Sequence, residues 1–542
     1  MAITVDAVII GAGHNGLVAA NMLADAGWSV VVLEAGGHAG GAIHSAPATS
    51  PGFVNDRCSA FYPFVAVSPV MRDLHLTDHG LRWRHAPHVL AHVFRDDTAA
   101  ILDRDARVTA ASVEEFAPGD GARWLEQVAA WNRIGPDLID ALFTPFPPVR
   151  ASVRLANRLG PADLLRLSRQ MVLPARRMTR EMFDGDGARL LLAGCAQHTD
   201  LSPDQAGSGI FGWLMAMVAQ QAGFPVPAGG AGQLAAALVR RLRRAGGEVI
   251  YGTPAAKVLV RGQRALGVVS ADGRGWKARR AVLADVAAPL LYRDLVDPGQ
   301  LPARLLADLE NFTWDNATAK VDWALSGPVP WRNPRVGRAG TVHLDGGLEE
   351  LSTYTTQLAN EQVPQRPFIL LGQMTTADPS RSPAGTESMW AYSHLPRRDA
   401  WCDDDVAEYA QRMEDIIEEH APGFKASVMS RAVTGPDDLA AGNASLVGGA
   451  IGGGTSAIHQ ELFLRPVPGL GRADTPIDRL YLCNSSAHPG GGVHGGPGAN
   501  AARAALVRNR PVAGSAYAAV LRGLDRSIYR ATPAPHTPEE SS

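Results

Sequence analysis

Six residues near the start of the chain, Gly11-Ala12-Gly13-His14-Asn15-Gly16, restrict its fold more than any other stretch. They follow Val5–Ile10, a short apolar run rich in β-branched residues that reads as a buried parallel strand. A helical stretch runs from Leu17 to Ala26, Gly27 stops it, and a second strand from Ser29 to Leu33 ends at Glu34. Each part has a physical task. Gly11 permits the tight turn, Gly13 lets a pyrophosphate approach the backbone, and Gly16 lets the helix pack on the strand. The loop residues Ala12, His14 and Asn15 lead into a helix N-terminus, whose free N–H groups and partial positive charge favour an anion. Glu34 can accept hydrogen bonds from ribose hydroxyls and repels a 2′-phosphate. Strand, glycine loop, helix, strand and acid in register define a dinucleotide-binding βαβ unit, which puts the chain in the α/β class.

Composition shows that this loop is not the whole story. The chain has 57 glycines in 542 residues, where an average of about 7% would give about 38. Two further stretches repeat the glycine spacing. Gly207–Gly212 has no strand before it and reads as small residues inside a packed helix. Gly490-Gly491-Gly492-Val493-His494-Gly495 follows the strand Leu480–Cys483 and precedes a helix from Gly498 to Leu506, with no further strand and acid. A glycine nest entering a helix still binds negative charge. Two such helix starts suit one long dinucleotide held at both ends. A third cluster, Ala35-Gly36-Gly37-His38-Ala39-Gly40-Gly41-Ala42, lies directly after Glu34.

With these residues in place the chain resembles the FAD-dependent phytoene desaturase and amine oxidase superfamily, in particular its phytoene-dehydrogenase-like branch. The resemblance runs through Gly13–Ala20, Leu33-Glu34-Ala35 with Gly40-Gly41-Ala42, Pro51-Gly52-Phe53, Gly229–Leu234, Arg465-Pro466, Thr475-Pro476-Ile477 and His488–Gly495. Many amine oxidases carry arginine where this chain has Ala42, which weakens the amine-oxidase reading. The resemblance implies a discontinuous Rossmann-type FAD domain built from residues 1–70, 229–289 and 435–515. A mixed-sheet and helical substrate domain would come from 71–228 and 290–434, with 531–542 as a disordered tail. It adds Ala35, Gly40, Gly41, Gly492, Val493 and Gly495 to the expected flavin contacts, and runs the strand at Val258 past the adenine end.

The implied activity is that of an FAD-dependent oxidoreductase desaturating or isomerising a largely apolar, carotenoid- or lipid-like molecule by hydride transfer to flavin N5. A flavin amine oxidase and a non-catalytic FAD-binding interaction protein are the alternatives. Desaturation must also release a proton, which calls for a general base. His488 and His494 flank the glycine nest expected at the flavin ring, and imidazole titrates near neutrality. Lys320, in Thr318–Leu325, resembles the amine-oxidase lysine that reaches flavin N5 through water. Asp285 follows a strand and has no assigned role.

The remaining features mostly exclude. A net charge of −3 leaves no footprint for nucleic-acid binding. Cys58, Cys195, Cys402 and Cys483 form no C-x-x-C pair, and His75, His79, His85, His88 and His92 have no cysteine or H-E-x-x-H partner, so neither a zinc site nor disulfide chemistry is expected. No signal peptide or spanning segment is visible, and a cytoplasmic protein is expected. Val149–Arg189 carries nine arginines against four acids among interleaved apolar residues. Such a stretch can rest on an anionic membrane, although a solvated helix face is the plainer reading. Phe211–Ala222, apolar nearly all round, is expected to be a buried helix of the substrate domain.

Overall fold

A computed structural model describes residues 3–344, 346–469 and 471–530; the segment 531–542 lies outside them. Two seven-stranded sheets organise the chain. In the first, Ile3–Ile10 lies between Val30–Leu33 and Gly275–Ala284, parallel to both. Glu248–Ile250 extends the parallel region beyond Val30–Leu33, and Leu480–Leu482 extends it beyond Gly275–Ala284. These strands are covered on both faces, so their apolar runs are continuous rather than alternating, as in Val5–Ile10. The first half of Gly275–Ala284 pairs antiparallel with Ala265–Ser270, which pairs in turn with Ala255–Val260. The parallel strands all end at one edge, where Gly11, Glu34 and Asp285 follow their last residues. In open α/β sheets this carboxyl edge is where ligands bind.

The first helix spans His14–Asp25, three residues longer at its start than the sequence implies. The second half of the glycine loop is already its first turn, because Leu17 donates its N–H to the Gly13 carbonyl. The helix packs against Gly496–Arg508, and the approach is close. A Cβ on Gly498 would stand 2.1 Å from the Asn15 carbonyl oxygen. Gly495, with φ at 72°, turns the chain into this second helix. The two glycine loops, some 480 residues apart in sequence, thus meet in space.

The second sheet has the order Val428–Thr434, Ala317–Leu325, Glu387–Leu395, Ile369–Gln373, Ala339–Leu344, His88–Val93, Ala99–Leu102. Only Ala339–Leu344 and His88–Val93 pair in parallel. Along Glu387–Leu395 the period of two separates Met389, Ala391 and Leu395, buried in the core, from Trp390, Tyr392 and His394 on the other face. A helical layer covers this sheet. Ser208–Ala222 packs on Asp186–Ala196 so tightly that a Cβ on Gly212 would lie 2.3 Å from the Leu192 carbonyl. The glycines of 207–212 therefore serve helix packing. The arginine-rich segment forms Val149–Gln170, broken at Gly160 before Pro161, then Ala175–Met182 and the start of Asp186–Ala196. Among the described residues no helix is long and apolar enough to cross a membrane.

Candidate active site

One cavity of about 1720 Å³ joins the two sheets. At its nucleotide end Gly11, Gly13, His14, Asn15, Glu34, Ala35 and Gly41 form the wall. Glu34 is held in place by the N–H groups of Ala12 (2.7 Å) and Gly36 (2.8 Å), each bonded to a different carboxylate oxygen. Each oxygen keeps a second lone pair for a ribose hydroxyl. Gly40 supports the loop from behind, giving its N–H to the Ala12 carbonyl at 2.8 Å. The cradle has no room for side chains. A Cβ on Gly13 would stand 2.4 Å from Asp285 Oδ2, and one on Gly16 would stand 2.3 Å from the Gly11 carbonyl. The buried Asn15 Oδ1 and His14 Nε2 have no protein partner among the described residues. A glycine cradle, a ribose-binding acid and unsatisfied polar atoms beside one long cavity fit FAD.

Two expected contacts fall elsewhere. Val258 is buried in the core beneath the antiparallel strands, and Pro254 and Ala255, just before it, line the cavity instead. Gly16 does not face the cavity, because its N–H is taken by Asp285 Oδ2 at 2.8 Å. Asp285 is the residue that sequence reasoning left without a role. Its other oxygen accepts from Asn484 at 3.0 Å, so it ties the first glycine loop to the last strand of the sheet. Burial raises its carboxyl to about 7.

The second glycine loop, Gly490–Gly495, brings Gly492 and Val493 to the cavity wall. His494 cannot act there as expected. Its Nε2 donates to the Gly491 carbonyl at 3.2 Å and its Nδ1 accepts from the Gly496 N–H at 3.0 Å, so both nitrogens brace the loop. Burial pushes it down to about 3. His488 differs. Its Nε2 donates to the Thr144 carbonyl at 3.1 Å, which fixes the tautomer and leaves Nδ1 as a buried lone pair without a partner among the described residues. Burial lowers it to about 4, so the ring is neutral at physiological pH.

Lys320 also departs from expectation. It is absent from the cavity wall, and its ammonium is paired with Asp322, two residues along the same face of the strand and equally buried. The ammonium is thus turned to a carboxylate of its own strand and not to the cavity. Beside it, Arg381 and Asp56 form a second buried pair at 2.6 Å. Sequence reasoning quoted Arg465 only as part of the resemblance, but the structure gives it a task. It is almost wholly buried and donates to the carbonyls of Gly452, Gly453, Gly454, Thr455 and Ser485, clamping one cavity loop to the flavin side.

The far wall belongs to the second sheet. Trp390 and Tyr392 stack at 5.9 Å with 12° between their planes, beside His394 and Thr341. Sequence reasoning did not single out these residues; the strand Glu387–Leu395 brings them to the cavity. Leu142, Val149, Leu155, Leu167, Phe211 and Leu214, from the helical layer, close the cavity on the remaining side. The apolar helix over Phe211–Ala222 thus supplies cavity wall.

This arrangement defines an FAD-dependent oxidoreductase of α/β architecture with a Rossmann-type nucleotide domain. The chain belongs to the flavin containing amine oxidoreductase family, whose sequence pattern matches residues 16–505. Mouse pyridine nucleotide-disulfide oxidoreductase domain-containing protein 2 is 27% identical over 92% of each chain. Hydroxyneurosporene desaturase of Cereibacter sphaeroides is 26% identical over 90% of this chain and 94% of its own. Among solved structures, an oxidoreductase from Methanosarcina mazei superposes with a TM-score of 0.63 at 15% identity, over 93% of this chain and all of that one.

Proposed function

We propose that the enzyme dehydrogenates or isomerises a largely apolar, carotenoid- or lipid-like substrate. The cavity carries this reading: from the flavin end it runs between apolar helices to a mouth whose rim residues Val149, Val153, Met171, Val172, Ile458 and Leu462 are themselves solvent-exposed. Exposed apolar side chains gathered at the opening of an apolar cavity suit a substrate arriving from a lipid surface. Segment 149–189 is then the face that rests on a membrane. Its arginines Arg154, Arg166, Arg169 and Arg177 are paired with nearby acids, so apolar contact rather than charge provides the attraction.

Bound FAD supplies a two-electron acceptor for a C–H bond. The chain must hold that bond in place, exclude water and receive the second hydrogen as a proton. His488 is the residue fitted to receive it, since it lines the cavity and its Nδ1, just beneath the wall, is without a partner among the described residues. An amine reading is less well supported. Ala42 replaces the expected arginine, Lys320 is neutralised by Asp322, and Trp390 and Tyr392 lie side by side rather than opposed as a cage.

The test is anaerobic reduction of the purified holoenzyme against polyenes, fatty acyl compounds and amines. Bleaching of the flavin by a polyene or acyl compound is expected. Bleaching by amines alone overturns the proposal.

A further inference from the structure

We propose that the last helix, Pro511–Ile528, rests on an anionic membrane surface, with an apolar row among the lipids and arginines on their headgroups. The inference goes beyond the substrate reading and adds a second contact, of different chemistry, to the one at the mouth.

The inward face of this helix is accounted for. Gly514 and Ala518 are buried, Tyr517 donates to Asp474 Oδ2 at 2.6 Å, and Tyr529, just past the end, packs on the core that holds Val258. The outward face is not. Val512, Ala516, Val520 and Leu524 follow one another at intervals of four, which sets them in a single row. Val512 is 83% exposed, Val520 61% and Leu524 44%, and Ala513, Ala516, Ala519 and Gly523 beside them are exposed as well. From Val512 to Leu524 the row runs about 18 Å along the helix. Single exposed apolar side chains are ordinary on a protein surface, but a continuous row with no polar residue in it marks a contact.

The charges around the row select its occupant. Arg522 and Arg526 stand one turn apart at its edge, with Arg510 before the helix and Arg530 after it. None of the four has a carboxylate partner among the described residues. Like charges one turn apart destabilise a helix unless something outside it answers them. The helix dipole favours Arg526 and Arg530 but opposes Arg510 at the other end. Asp525, the one acid of the helix, is turned inward beside Asp474 and Tyr529. A second copy fits poorly. Two such helices packed antiparallel and centred on Ala518 would bring Arg526 of each beside Arg510 of the other, with no acid between them. Residues 531–542 contain no Val, Leu, Ile, Met, Phe, Tyr or Trp and supply nothing to cover the row. A bilayer of anionic lipid answers both features, burying the apolar side chains and neutralising the arginines. It is also continuous with the contact at the mouth. A Cβ on Gly469 would stand 3.2 Å from Tyr529 Oη, and one on Gly471 would stand 2.9 Å from both Phe146 and Phe463. Phe463 adjoins the rim residue Leu462 in the chain, and Phe146 lies three residues before Val149.

The experiment measures co-sedimentation of the full-length holoenzyme with vesicles of phosphatidylcholine alone and with vesicles that also contain phosphatidylserine. The unaltered enzyme is expected to bind the phosphatidylserine vesicles at least about thirtyfold tighter. Arg522→Gln with Arg526→Gln should remove about thirtyfold of that affinity, at about 1 kcal/mol for each charge, and leave binding to phosphatidylcholine unchanged. Val520→Ser with Leu524→Ser should weaken binding to both kinds of vesicle. All four side chains are exposed, so FAD content and the midpoint of unfolding should stay as they are, which separates lost binding from lost fold. Val153→Ser, at the mouth, should leave the ratio of the two affinities unchanged. Equal binding of the two kinds of vesicle by the unaltered enzyme overturns the inference and leaves the contact at the mouth standing. So does a preference for phosphatidylserine that survives both arginine changes. If the Val520 and Leu524 changes leave vesicle binding intact and instead turn a dimer into a monomer by light scattering, the row belongs to a second copy and the inference falls. A preference abolished by the arginine changes, in a protein that binds no phosphatidylcholine, upholds the helix and removes the contact at the mouth.

Discussion

The two ends of the cavity are made of different materials. At the nucleotide end the wall is largely backbone: Gly11, Gly13 and Gly41 leave a groove, and N–H groups and one carboxylate provide the chemistry. At the far end the wall is side chain, with Trp390, Tyr392 and His394 projecting from one face of a strand. A backbone site tolerates no added atoms but is indifferent to most neighbouring side chains. A side-chain site can be altered one group at a time. The largest effect is therefore expected where a single Cβ enters the groove. Gly13→Ala places that atom 2.4 Å from Asp285 Oδ2, so the purified variant should contain little or no FAD by absorbance. Retention of full FAD content would show that the loop relaxes and that the groove is not backbone-limited.

Between the two ends stands His488, where a side chain acts beside a backbone cradle. His488→Gln should keep FAD and lower the rate of anaerobic flavin reduction by about 10²–10⁴-fold, the usual range for loss of a general base. His494→Gln should instead act on the loop, reducing FAD content more than the rate per bound flavin, because both its nitrogens hold Gly491 and Gly496. Equal loss of rate per flavin in the two variants would erase the distinction.

Arg465 tests the same contrast through stability. It is a side chain whose partners are almost all carbonyl oxygens, and its removal leaves Glu461, which it contacts at 3.0 Å, buried without its cation. Arg465→Met should destabilise the protein by about 3 kcal/mol or more, measured by denaturant unfolding.

The difference between the ends also governs what could be read from the sequence. The βαβ unit is written in consecutive residues because turn, anion contact and helix packing are local constraints. Asp285 acts on the same loop across 269 residues and depends on which strand pairs beside Ile3–Ile10. No local pattern carries that. The strand around Lys320 was legible, but the ammonium's destination was not. Asp322 lies two residues on, hence on the same face, and takes the ammonium within the buried strand. No motif singles out Trp390, Tyr392 and His394, which become cavity wall only through the order of the second sheet. Val258 fails for a related reason: it points into the core, and the strand touches the cavity only at its first residue, Ala255, beside Pro254.

Asp285 supplies a pH test of the nucleotide end. Its folded-state value of about 7 lies above the ordinary 3.8. Between about pH 4 and pH 7 the folded protein keeps a proton that the unfolded chain has lost, so this group's contribution to stability declines as pH rises. Asp285→Asn cannot lose a proton. The variant's Tm relative to the unaltered apoprotein should therefore rise from pH 4.5 to pH 8, by differential scanning fluorimetry. Glu387 and Glu461, also raised to about 7, are present in both proteins and cancel in the difference. A pH-independent difference would mean that Asp285 is ionised throughout the range.

The smallest effect is expected at the mouth, where neither backbone nor any single side chain dominates. Val149 and Val153 are 61% and 53% exposed while lining the cavity opening. Inserting one such side chain into the interfacial region of a bilayer is worth about 1 kcal/mol. Val153→Ser should therefore weaken partition onto neutral phosphatidylcholine vesicles by about fivefold, and a double change with Val149→Ser by more, without altering FAD content. Neutral vesicles are the informative choice because Arg154, Arg166 and Arg169 of this segment are already paired with acids. If binding instead requires anionic lipid and is abolished by salt while the valine changes do nothing, charge provides the contact. The mouth would then be an opening to solvent, and the contrast between a backbone cradle and an apolar, side-chain-built route from the membrane would lose its outermost element.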